Sequence, residues 1–230
     1  LLTKCDLFNV EKVTVTTEYT SVADEKSFVS VLVTDGNASI DNIDIKKGDS
    51  LFIHADTLQM FSFHLDTDSL YREARAYHKV RFYRTDVQGV CDSLVFSTKD
   101  TCLTMYRDPI LWNNQQQLLG EKIMIYMNDS TIEWAHIQNQ TLSVEQLDSL
   151  NYNQVSGKDM KAYFEGGEMK QVDVDGSVRL VYFPMEKDST LLGMNCSETS
   201  KLSMFLENRK LKKLAMSPKS NGTLYPKTQI

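Results

Sequence analysis

The sequence predicts an all-β fold of stacked antiparallel hairpins, and three observations carry that prediction. Apolar residues recur with a period of two, five glycines recur at spacings of 41, 31, 37 and 36 residues, and turn pairs follow some of those glycines. A period of two puts alternate side chains on one face of an extended strand, so one face is dry and the other wet.

Taken in order, the first 47 residues hold strand-like runs at Val13 to Thr17, Val29 to Val33 and Ile40 to Ile45 without a unit glycine. They are expected to be capping strands (1–47) before a continuous repeat region (48–230). The repeats open at Gly48, Gly89, Gly120, Gly157 and Gly193. Alternation marks half-buried strands at Ala76, His78, Val80 and Phe82, at Ile123, Ile125 and Met127, and at Met160, Ala162 and Phe164. It is clearest at Val172, Val174, Val178, Leu180 and Tyr182, interrupted by Gly176, and it returns at Leu202, Met204 and Leu206.

Asn128-Asp129 and Gly166-Gly167 follow the third and fourth unit glycines and suit primed turns, which match the twist of the strands they join. In the fifth unit the best turn, Glu207-Asn208, comes late, and an insertion is expected before its strand. Ser143 to Leu150 is expected to form about two turns of helix, because a serine start with polar partners precedes it. Asn221 to Ile230 reads as an irregular tail. A hairpin unit cannot bury its apolar face alone, so neighbours must stack and share an elongated interior.

Composition narrows the function. With 41% hydrophobic and 24% charged residues the chain is too apolar for a disordered protein, and a net charge of -6 gives no basic face for nucleic acid. No stretch approaches the roughly 18 to 20 apolar residues of a membrane-spanning helix. The chain begins with Leu, and an export signal is expected to have been trimmed. Cys5, Cys91, Cys102 and Cys196 lack the close spacing of a zinc or redox site. Cys91 and Cys102 fall in one hairpin turning near Thr98 and Lys99, where position 91 should face roughly position 106. A disulfide would need a shifted turn, so free thiols are favoured.

No catalytic or metal constellation emerges. Of the four histidines, His54 and His64 lie ten residues apart and His78 and His136 stand alone. There is no nucleophile elbow, zinc-protease motif or phosphate-cradling loop. Asp173 and Asp175 share a strand face, where a solvated surface is favoured over a calcium or sugar site. Asn37, Asn128, Asn139, Asn195 and Asn221 head Asn-x-Ser/Thr triplets that read as turn chemistry. No cofactor and no metal are expected.

The unit glycines, the segment ARAYHKVRFYRTDVQGVCDSLVFSTKD beginning at Ala74, LTMYRDPILWNNQQQLLGEKIMIYM beginning at Leu103 and VDGSVRLVYF beginning at Val174 together resemble the OstA-like, or LptA-like, family of periplasmic lipopolysaccharide-transport proteins. The resemblance spans roughly Gly36 to Tyr225. It implies an open β-jellyroll whose apolar interior takes acyl chains of lipopolysaccharide or another glycolipid. It also implies a periplasmic location, no catalysed reaction, and edge-strand association with itself or with like-folded transport proteins.

On that reading the groove candidates are Ile123, Ile125, Met160, Phe164 and Val172, together with Val174, Val178, Leu180, Leu202 and Met204. The same residues could equally fill a closed core. The chain departs from the plainest bridge proteins in its length and in residues 1–47. Two alternatives stand beside the lipid reading: an extracytoplasmic β-repeat protein binding glycans or proteins on its outer face, and a polysaccharide-active enzyme. Trp112 and Trp134 discriminate, since exposure on one face would suggest sugar stacking and burial a plain core.

Overall fold

The computed structural model describes residues 13–19, 27–41, 52–63, 70–83, 87–113, 116–128, 131–186, 190–207 and 210–229. They are almost wholly antiparallel β-structure, which includes hairpin strands and a closed six-stranded barrel. The chain divides into two compact units, one formed by residues 1–109 and 124–131 and the other by 110–123 and 132–230.

In the first unit β1 (Val13–Tyr19), β2 (Ser27–Asp41), β3 (Phe52–Phe63), β4 (Tyr71–Tyr83), β5 (Gln88–Ser97) and β6 (Cys102–Tyr106) pair in sequence as a meander. Strands before and after residue 47 therefore join directly, β2 to β3. The second unit holds β7 (Ile110–Asn113) and β8 (Gln116–Leu119), and the unit boundary falls within β9 (Lys122–Met127). It continues with β10 (Ile132–Gln146), β11 (Tyr152–Glu165), β12 (Glu168–Tyr182), β13 (Gly193–Glu207) and β14 (Lys210–Pro226). β7 pairs β8, β8 pairs β10, and β10 to β14 pair in order. Gly48, Cys5 and His64 lie outside the described residues.

Alternation becomes packing in the second unit. Ile137, Met160, Val174 and Leu202 sit opposite one another across four strands, each at most 2% exposed. A second row runs Ala135, Ala162, Val172 and Met204. Each fully buried aliphatic side chain in such a row contributes about 1.5–3 kcal/mol.

The long strands bend in the middle. Pairs of left-handed residues interrupt β4 at His78 and Lys79, β10 at Asn139 and Gln140, and β12 at Gly176 and Ser177, each with a register shift. Such corners let one strand serve two walls of a layered sheet. Because two residues are inserted, the buried parity survives: Ala74 and Ala76 precede the β4 corner, and Val80 and Phe82 follow it. His78, expected within the alternation, instead stands at that corner with its side chain 63% exposed. The charges there are paired, Lys79 with Asp56 at 3.3 Å and Arg107 with Asp92 at 3.0 Å.

The periodic glycines have a steric reason. A Cβ on Gly89 would strike the Phe82 ring, on Gly120 the Ile137 side chain at 2.5 Å, on Gly157 the Val174 side chain, and on Gly193 the Tyr225 backbone carbonyl. The repeat thus marks close approach between neighbouring strands. At Gly166-Gly167 both φ values are positive and Glu165 pairs Glu168, as a primed two-residue turn requires. The Asn128 turn is closed by its own side chain, which accepts from the Thr131 amide at 2.9 Å.

Three local expectations need correction. Ser143 to Leu150 is not helical: β10 runs to Gln146, with Ser143 paired to Leu118 on one side and Val155 on the other. Pairing on both edges outweighs the propensity of a segment too short to hold a helix alone. The following turn is fixed by Asp148, whose carboxylate accepts from the Leu150 and Asn151 amides at 2.8 Å and is held below the usual carboxylate range mainly by the Asn151 side chain. No insertion precedes the strand of the fifth unit, because β13 starts at Gly193 and merely shifts register between Thr199 and Lys201. The tail is ordered too: Asn221 to Pro226 extends β14 against Glu198 to Gly193.

Cys91 and Cys102 are buried and Cys196 half-buried, none of them in a disulfide. The hairpin turns at Thr98 to Thr101, so Tyr106 faces Ser93, two residues from the expected partner. Burial pushes the Cys91 thiol from 9.0 up to about 12. Its neutral form therefore supports the fold fully below pH 9.0, and that support is lost as the pH rises toward 12. At about pH 8.5, where an ordinary thiol is half ionised, iodoacetamide should leave Cys91 unmodified in the folded protein and modify it after denaturation. Peptide mapping checks this, and rapid labelling in the folded state would contradict it.

Candidate apolar cavity

The inward faces of the second unit do not all close on one another. Between them lies a cavity of about 540 Å³. Its apolar wall is made by Val155 of β11, Val172 and Leu180 of β12 and Met204 of β13. Val155 opposes Leu180 and Val172 opposes Met204, so cross-strand register assembles the wall. Met169, Leu206 and Leu211 add further apolar lining from the turn ends of β12, β13 and β14.

The connection after β12 supplies Phe183, Met185 and Glu186 to the same cavity. Met185 bridges Leu191, and the Glu186 amide donates to the Thr190 carbonyl at 2.9 Å. The Phe183 amide donates to Asn153 Oδ1 at 3.0 Å, and Asn153 Nδ2 donates to Glu145 Oε2 at 3.0 Å. These bonds tie the connection to β10 and β11 and make one side of the lining polar, beside the apolar wall. Tyr182, half-buried beside it, has its phenol pushed up by burial and then by the charge of Glu145. Gln116 and Ser143 also border the space.

Of the residues singled out from sequence, Val172, Leu180 and Met204 line the cavity. Met160, Val174, Val178 and Leu202 are at most 2% exposed and lie outside its lining. Ile123 and Ile125 on β9 are likewise buried elsewhere, and Phe164 is half-buried opposite Met169 beside the Gly166-Gly167 turn. Leu206, which shares the alternation of Leu202 and Met204, lines the cavity without being among the groove candidates. Phe183 and Met185 sit outside any strand period, so the pattern carried no signal for them.

The outer face is different. Trp134 is half-buried, opposite Tyr163, which is 37% exposed, and its ring lies 6.3 Å from that of His136. His136 faces Asp159 at 3.4 Å. Trp112 is also half-buried. Asp173 accepts from Gln171 at 2.8 Å, and Asp175 pairs Lys201 at 3.0 Å. Among the described residues no group of three or more His, Cys, Asp or Glu could hold a metal ion, and no helix is long and apolar enough to cross a membrane.

Comparison of the chain with family models, with curated proteins and with solved structures found no match.

Proposed function

We propose that this chain is a non-catalytic lipid-binding protein that takes an acyl chain of lipopolysaccharide or another glycolipid into the cavity of its second unit. The observation that carries the reading is the apolar wall of Val155, Val172, Leu180 and Met204 around about 540 Å³ of space. That volume lies within the roughly 300–1,000 Å³ typical of small-molecule sites. Each methylene withdrawn from water there contributes about 0.8 kcal/mol. The bent strands and the resemblance to lipopolysaccharide-transport proteins support the finer reading as a jellyroll open along part of its length, acting in the periplasm.

Partners of like fold would dock by strand addition at an edge. β1 and β14 are the candidates, since among the described residues each pairs a single neighbour. Lys212, Lys213, Pro218 and Lys219 along β14 would restrict such pairing to a specific partner.

The test is titration with an uncharged apolar dye, phenylnaphthylamine, whose emission rises when it leaves water. Saturable uptake at one dye per chain is expected, and no uptake would refute the reading. A second reading, glycan binding on the outer face, is favoured only by the Trp134 and Tyr163 pair. It requires tryptophan emission to respond to oligosaccharides and not to the dye.

A further inference from the structure

Resting on the lipid reading but narrowing it away from lipopolysaccharide, whose head carries phosphates, we propose that the cavity selects a single-chain amphiphile whose head donates hydrogen bonds, a hydroxyl or an ammonium group, and disfavours one with an anionic head. The residues that line it include two carboxylates, Glu145 and Glu186, and among the described ones no lysine, arginine or histidine. A carboxylate or phosphate head drawn in beside half-buried Glu145 meets like charge in a partly dry space, where the repulsion exceeds its value in water, and exposed Glu186 adds a weaker, screened repulsion. A hydroxyl or ammonium finds acceptors there instead.

Glu145 is already oriented: Asn153 donates to Oε2 at 3.0 Å, and among the described residues no hydrogen bond reaches the other carboxylate oxygen. Asn153 is fixed in turn by the Phe183 amide, so the polar end is built rather than incidental. The apolar wall of Leu180 and Met204 lies in the same cavity, which gives one chain and one head a place.

The test uses the whole chain with phenylnaphthylamine bound, displaced at neutral pH and below micelle formation by tetradecylamine, monomyristoylglycerol or myristate. All three share a saturated chain length and differ in the head. The amine and the glycerol ester should displace the dye at concentrations roughly tenfold or more below that needed for myristate. A lead for the amine identifies charge as the source of selection, and equality of the two identifies hydrogen bonding. The double substitution Glu145→Gln and Glu186→Gln should bring myristate to within about threefold of the amine. Myristate binding as tightly as the others, or an order unchanged by the double substitution, would overturn the proposal. Dye uptake with a preference for myristate removes this inference alone, whereas absence of dye uptake removes the lipid reading with it.

Discussion

Replacing Gly157 by valine should destabilise the second unit by about 3 kcal/mol or more, among the larger effects expected for overpacking. Gly157 sits at the corner of β11, where an added Cβ would collide with a Val174 methyl and then meet the Asp175 carbonyl at 3.3 Å and that of Gly176 at 3.5 Å. Val174 cannot retreat easily, because it lies in the row between Met160 and Leu202. The Gly157 carbonyl is itself held by the Thr141 hydroxyl at 3.1 Å, in a residue 1% exposed. Urea unfolding should show the lowered midpoint. Gly157→Ala should cost less, and Val174→Ala in that background should recover about 1 kcal/mol, since the clashing methyl is gone. An unchanged midpoint in the valine variant would show that the close approach is not real.

Leu206→Trp should reduce dye uptake at least tenfold, a change of about 1.4 kcal/mol, while leaving the thermal midpoint nearly unaltered. Leu206 lines the cavity yet is only half-buried, near the end of β13, so a larger ring can fill the space without opening the core rows. If the dye instead binds the outer face, the substitution should have no effect. Equilibrium titration of both proteins, alongside thermal unfolding, decides between these outcomes.

Much of the fold was legible because the physics that reports it is local. In β12 the alternation of Val172, Val174, Val178 and Leu180 stated which face is buried, and Gly166-Gly167 stated where the chain reverses. The periodic glycines were visible as a pattern, though their meaning, contact with Phe82, Ile137 or Val174, depends on a neighbouring strand. Where the deciding partner is distant the sequence misleads. Ser143 to Leu150 carries a helix-start pattern, yet β8 and β11 claim both edges of Ser143 to Glu145. The corners at His78-Lys79 and Asn139-Gln140 contain no glycine, so of the three left-handed pairs within strands the Gly176-Ser177 pair alone left a trace.

The candidate cavity was legible in part for the same reason. Val172, Leu180 and Met204 belong to strand periods, and the cross-strand register brings them together. Alternation could not say which inward residues are sealed in rows and which border open space, because that depends on how far neighbouring walls separate. Phe183, Met185 and the Glu145–Asn153 contact come from a connection and from pairing between strands, neither of which has a sequence period.

The central claim is that a lipid chain occupies this cavity in the cell. Photo-methionine incorporated at Met204, which lines the wall and is nearly isosteric with the native side chain, tests it most directly. After irradiation of producing cells, mass spectrometry should find the peptide bearing Met204 carrying a lipid adduct that is absent without light. Adducts to protein alone, or an unmodified peptide, would contradict the account.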